Sequence, residues 1–242
     1  MPPLLSIVIP AHNEASRLPN TLDRVWSFVQ AQHLEAEVIV VENGSVDQTL
    51  ALSQTFAASH PGVQVLQEQL AGKGLAVRRG MLHAQGEYRF ICDADLSMPI
   101  EEILRFLPPQ APDYDIAIAS REVPGAQRFG EPAYRHFIGR IFNFMVRMIT
   151  LPGIQDTQCG FKCFRARPAE DLFPLQTIDG WTFDVELLFL ALQRGYHVIE
   201  IPIPWYYRAG SRVRIFRDSL RMLADLFRIR YYSLRGFYDR PN

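Results

Sequence analysis

Short apolar, β-branched runs recur along this chain at residues 4–10 (LLSIVIP), 37–43 (EVIVVEN), 63–67 (VQVLQ), 88–95 (YRFICDAD) and 115–120 (DIAIAS), with helix-length amphipathic segments between the first four. Strands alternating with helices in this way are βαβ units, so the expected fold is α/β, with a parallel, doubly wound sheet covered by helices. In such a sheet the ligand crevice lies outside the carboxyl ends of the strands. The candidate functional residues of the first half fall at those ends, at positions 10–14, 42–47 and 93–95.

The fourth run ends in Asp93 and Asp95, one residue apart. Alternate residues of an extended segment point the same way, so the two carboxylates can converge on one cation. Mg²⁺ or Mn²⁺ held by one or two carboxylates keeps coordination positions for phosphate oxygens. The plainer alternative is that both acids cap the helix expected near Pro99.

The chain has 242 residues, 48% of them hydrophobic and 21% charged. That suits one globular domain, taken as residues 1–214, followed by a basic amphipathic helix or tail at 215–242. From residue 211 onward eight arginines face three aspartates, whereas residues 1–210 hold 17 basic and 23 acidic side chains. A basic tail interleaved with Phe216, Leu220, Leu223, Phe227 and Ile229 suits an anionic lipid surface better than a nucleic acid, and packing on its own domain or on a second subunit stays open. The best candidate for a membrane span, residues 137–149, is broken by Arg140, Asn143 and Arg147. The start shows no basic segment of a signal peptide, and the odd set Cys92, Cys159 and Cys163 has no paired metal spacing. Both features favour a reducing, cytoplasmic setting, with peripheral contact at the inner face of a membrane.

The second half carries a helical pattern over 130–150, then DTQCGFKCFR at 156–165, a helix through WTFDVELLFLALQRG at 181–195 and a strand at 197–203. PAHNE, ENGSVDQT, GKGLAVRRG and DADL follow the first four strands in turn. With DTQCGFK and WTFDVELLFLA, this order resembles family 2 inverting glycosyltransferases of the GT-A fold, in the branch of dolichyl-phosphate glucosyltransferases and mannose synthases. The resemblance spans residues 4 to about 212 and implies a mixed, mainly parallel sheet. It also implies inverting transfer of a hexose, foremost glucose from UDP-glucose, to a polyprenyl monophosphate. GDP-mannose as donor, a glycan hydroxyl as acceptor and a nucleotide-sugar-binding protein without transfer activity are the alternatives. Two departures stand out: Glu42 and Asn43 occupy positions where the family usually has paired aspartates, and the hydrophobic membrane segments of many relatives are missing.

The resemblance implies that Pro10, Ala11, Asn13, Glu14, Glu42, Asn43 and Gly44 wall the nucleoside pocket, with Asp93, Ala94 and Asp95 at the nucleotide-sugar, Asp93 and Asp95 on the metal, and Lys73 near the base or the phosphates. Glu14 also reads as a first-turn helix acid, and Ser45 and Asp47 as turn and cap residues. GKG at 72–74 is not a Walker loop, because the Gly-Lys-Ser/Thr ending is missing. By the same resemblance Arg121, Arg135, Arg140, Ser211 and Arg212 stand where related polyprenyl-phosphate transferases bind the acceptor phosphate, and guanidinium forks suit phosphate oxygens. Asp184 stands at the position of the family's general base, with Asp156 and Asp95 completing the catalytic acids. Trp181, Trp205 and Phe161 are candidates to line the sugar or lipid path, or to serve in the core.

Overall fold

The computed structural model describes residues 2–208 and 215–239. The first four runs form β1 (Leu5–Ala11), β2 (Ala36–Asn43), β3 (Val63–Glu68) and β4 (Tyr88–Cys92), joined by α1 (Leu18–Ala31), α2 (Thr49–Ser59) and α3 (Lys73–His83). Then come β5 (Ile116–Ser120), β6 (Gln127–Phe129), α4 (Ala133–Ile149), β7 (Phe161–Arg165), α5 (Ala166–Leu172), α6 (Phe183–Gln193), β8 (Val198–Pro202), β9 (Pro204–Tyr206) and α7 (Ile215–Leu234). Seven strands make one sheet in the order β3-β2-β1-β4-β7-β5-β8, and β6 pairs with β9 apart from it. Strands β1 to β4 are mutually parallel, β8 is parallel to β5, and β7 runs antiparallel between β4 and β5. The mixed, mainly parallel sheet flanked by helices, with a C-terminal helix, is therefore the expected α/β fold.

Strand β1 is apolar on both faces because both are covered. Ile7 and Ile9 pack with Leu18, Leu22 and Val25 of α1, and Val8 packs with Ala76, Val77 and Met81 of α3. Two differences from the sequence expectation concern placement. The run at 88–95 leaves the sheet after Cys92, so Asp93 and Asp95 sit in a turn beyond the strand, where Leu96 takes a φ of +43°. Strand β7 is not legible in the sequence, because Lys162 interrupts a five-residue run too short to show alternation.

Helix α6 is buried from Phe183 through Ala191, as a helix enclosed on every side must be. Helix α7 adds Met222, Leu226 and Ile229 to the same apolar cluster, while Leu220, Phe227, Tyr231 and Leu234 stay exposed. Helix α4 buries Phe142, Asn143 and Val146 and turns Tyr134, Phe137, Ile141, Phe144 and Met148 outward. Among the described residues no helix is long and apolar enough to cross a membrane.

Candidate active site

The turn after β4 meets the start of α3. Lys73 is the first residue of α3, and its Nζ donates to Asp93 Oδ1 at 2.6 Å. Burial alone would lower the pKa of the Lys73 ammonium, but Asp93 and then Asp184 outweigh it and raise it, so the side chain stays charged. The Lys73 ammonium also lies 5.6 Å from the centroid of the Trp181 ring. Asp93 is wedged by Gly160, where an added Cβ would stand 1.8 Å from Asp93 Oδ2. Asp95 Oδ1 accepts the Ser97 N–H at 2.9 Å, as a capping residue does. Its pKa is nevertheless raised, by burial and by the charge on Asp93.

The ends of β1 and β2 form a pre-built wall beside this turn. Asn43 is buried, and its amide donates to Gly72 O at 3.1 Å. A carboxylate at position 43 would face that carbonyl without a proton to share. Glu42 accepts the Ser45 N–H at 2.5 Å, and Gly44, at a φ of +65°, turns the chain away. Asn13, also at positive φ, takes a hydrogen bond from Val46 N–H on its Oδ1 at 2.8 Å. Ser45 Oγ accepts the Asn13 N–H at 2.9 Å, and Asp47 Oδ1 accepts the Thr49 N–H at 2.9 Å. Glu14 forms an ion pair with Arg17 and is nearly buried. Ala11 and Ala94 are buried, Pro10 is half-buried at the end of β1, and the Ala94 carbonyl accepts from Thr21 Oγ1 at 2.7 Å.

Across from this wall, Asp184 occupies the first turn of α6 and pairs with Lys162 Nζ at 3.0 Å. Burial raises the Asp184 pKa, and Lys162 and Lys73 oppose the rise. Lys162 is 1% exposed and also donates to Cys159 O at 2.5 Å. The one signal for Lys162 in the sequence is its place inside the apolar stretch GFKCF, where a lysine must meet a partner once buried.

Just beyond β5, Arg121 meets Asp156, which is fully buried and takes Arg121 Nε at 2.6 Å, Nη2 at 2.9 Å and the Arg121 N–H at 3.0 Å. Burial would push the Asp156 carboxyl up, but the Arg121 guanidinium prevails and holds it at about 2. Arg121 lies 5.4 Å from the centroid of the Trp205 ring. Arg135 donates to Tyr207 Oη at 3.3 Å, and Arg140 is exposed on α4. Ser211 and Arg212 lie outside the described residues. Of the three aromatics, Phe161 is a core residue packed edge-on against Phe90.

Among the described residues no group of three or more His, Cys, Asp or Glu side chains forms a metal cage. Asp93 and Asp95 supply two hard oxygen donors, which suits an ion of the Mg²⁺ type that completes its shell with phosphate and water.

Residues 6–173 match the family described as Glycosyl transferase family 2. A dolichyl-phosphate beta-glucosyltransferase of Trichomonas vaginalis is 33% identical over 96% of this chain and 72% of its own length. Its counterpart in Drosophila melanogaster is 35% identical over 93% of this chain and 74% of its own length. The counterpart in Homo sapiens is 32% identical, over 96% and 76%. Among solved structures, glucosyl-3-phosphoglycerate synthase from Mycobacterium tuberculosis with phosphoglyceric acid superposes with a TM-score of 0.70 at 18% identity, over 94% of this chain and 80% of that one. The same enzyme with Mn²⁺, UDP and phosphoglyceric acid gives 0.67 at 17%, over 99% and 80%. The matched region runs from β1 through α5 and takes in the turn of Asp93 and Asp95, and on that ground the chain belongs to glycosyl transferase family 2.

Proposed function

We propose that this protein is an inverting, metal-dependent hexosyltransferase that moves glucose from UDP-glucose to a polyprenyl monophosphate of the dolichyl type. The observation that carries the reading is the facing arrangement of two charged pairs, Lys73 with Asp93 and Lys162 with Asp184, at the carboxyl end of the sheet. The names of the curated relatives support the glucose donor and the dolichyl-phosphate acceptor. Pro10, Ala11, Asn13, Glu14, Glu42, Asn43 and Gly44 are the nucleoside wall in this reading, and Lys73 and Ala94 lie at the diphosphate.

Asp93 and Asp95 would hold Mg²⁺ or Mn²⁺, which when bound offsets charge on the departing nucleotide diphosphate. Lys73 provides a second positive charge for the same oxygens. Asp156 takes Nε and one terminal nitrogen of Arg121, fixing its plane and leaving the other terminal nitrogen to donate to the acceptor phosphate. Asp156 thus orients Arg121, and its low pKa does not suit a proton acceptor. Arg135, Arg140, Ser211 and Arg212 are assigned to the same anionic acceptor. Asp184, with its raised proton affinity, is the base. A phosphate monoester has its second pKa at about 6 and is already largely dianionic at neutral pH, so it needs that base less than a hydroxyl does.

The outward apolar stripe of α4, with Phe137 at 67% and Met148 at 71% exposure, belongs to a helix that packs on α7, which itself leaves Leu220 and Phe227 exposed, and this supports peripheral contact with a lipid surface. Replacing Phe137 and Phe144 with serine should weaken partition into anionic vesicles. Deleting α7 is the poorer test, because it also removes Met222, Leu226 and Ile229 from the core. Unchanged partition, with a dimer of the parent protein that dissociates in the variant, would assign the stripe to a second subunit.

The decisive experiment supplies UDP-glucose or GDP-mannose with polyprenyl phosphate and Mg²⁺ or Mn²⁺, and measures sugar entering the lipid phase. Transfer from UDP-glucose, abolished by chelator and by Asp95→Ala, is the expected result. Transfer from GDP-mannose alone would make the protein a mannosyltransferase. Product only on a glycan hydroxyl would move the acceptor, and donor binding without turnover would leave a binding protein. Asp184→Asn should slow transfer to the lipid phosphate and nearly abolish it on a hydroxyl acceptor; equal loss on both would remove Asp184 from the role of base.

A further inference from the structure

Glu186 has no role in the reaction above, yet it is wholly buried and accepts more hydrogen bonds than a first-turn helix acid requires. Its Oε1 accepts from Thr177 Oγ1 at 2.6 Å and from Tyr238 Oη at 2.8 Å, and its Oε2 accepts the N–H groups of Thr177 at 3.0 Å and Ile178 at 2.9 Å. The donors come from two places, the loop at 176–182 and the C-terminal segment after α7. Helix α7 itself reaches the same loop twice more, through Asp225 Oδ2, which accepts from Thr182 Oγ1 at 2.8 Å, and through Arg228 Nη2, which donates to Thr177 O at 3.4 Å.

The loop in turn holds the start of α3. Asp179 O accepts the N–H groups of Gly74 at 2.9 Å and Leu75 at 3.3 Å, which are amides that the first turn of a helix cannot pair within itself. The fit is close: a Cβ at Gly72 would lie 2.7 Å from Asp179 O, and one at Gly74 would lie 2.5 Å from Ile178 O. Gln176 Nε2 bridges Gly74 O and Ile178 O at 2.9 Å each. Lys73 lies between those two glycines, and Trp181 extends from the same loop beside its ammonium.

We infer that Glu186 is a positioning residue for the donor-binding lysine, and that the C-terminal segment, latched to Glu186 by Tyr238, is part of the nucleotide-sugar site although it touches no donor atom. This rests on the reading of Lys73 as a donor-diphosphate contact. A hydrogen bond to a buried carboxylate is removed with little change of shape by Tyr238→Phe or by Thr177→Val, so each variant loosens the latch without emptying the core.

The test is calorimetric titration of UDP with Mn²⁺ into the full chain, its Tyr238→Phe, Thr177→Val and Lys73→Met variants, and the Tyr238→Phe/Lys73→Met double variant. Both latch variants are expected to bind UDP about threefold to tenfold more weakly at unchanged stoichiometry, and the double variant no more weakly than Lys73→Met alone, as coupled residues behave. Unchanged affinity in both latch variants, or additive losses in the double variant, would overturn the inference while leaving the donor site intact. A fall in stoichiometry at constant affinity would show a purely structural role and overturn it too. Wild-type affinity in Lys73→Met would instead strike the donor reading of Lys73, and the inference with it.

Discussion

Replacing Lys162 with methionine removes the cation of a buried pair while conserving length and apolar volume. Lys162 is 1% exposed and Asp184 is 5% exposed, with 3.0 Å between their charged atoms, so the change leaves an anion with little access to water. Breaking such a pair from one side costs about 3–5 kcal/mol, and the Cys159 carbonyl that loses its donor adds about 1 kcal/mol. Against a total stability of about 5–15 kcal/mol, the loss is large but measurable. Its pH dependence carries the reasoning. Burial already raises the Asp184 pKa, and without Lys162 the opposition to that rise falls mainly to Lys73. An acid whose folded-state pKa is raised destabilises the fold above that pKa, and the penalty fades as pH falls toward the ordinary carboxylate range. Urea unfolding of the variant and the wild type should therefore differ by about 4–6 kcal/mol near pH 8 and by clearly less near pH 5. Adding Asp184→Asn should recover part of the loss, since no uncompensated charge then remains. A pH-independent difference with no recovery would refute the account and reduce Lys162 to a packing residue.

Asp156 carries the opposite sign: its pKa of about 2 lies below the ordinary carboxylate value, so its contribution of roughly 2 kcal/mol is present above about pH 4 and lost as pH falls toward 2. Acid titration of stability should show that component in the wild type and lack it in Asp156→Asn. Gly160→Ala forces a methyl group into the place of Asp93 Oδ2, and should abolish Mn²⁺-dependent UDP binding while circular dichroism reports an intact sheet. Asn43→Asp removes the amide that donates to Gly72 O, and should cost about 1–3 kcal/mol in thermal unfolding at neutral pH, with a smaller loss for Asn43→Ser.

The parts of this protein legible in the sequence are those set by local spacing. Alternating apolar runs mark β1 to β4 with their helices, and the turn residues after each run mark where the crevice must open. The acids at 93 and 95, the GKG turn and the DTQCGFK and FDVELL segments are recognisable because neighbouring residues carry their pattern. What the tertiary structure alone decided is partnership across distance. The antiparallel insertion of β7 between β4 and β5 delivers Lys162 to Asp184 and sets Gly160 against Asp93. The return of the C-terminal segment turns Glu186 from an apparent dipole-complementing residue into the anchor of a loop. A buried charge announces in sequence only that it must be paired; which group pairs with it depends on strand order and helix packing, and those are settled by the whole core.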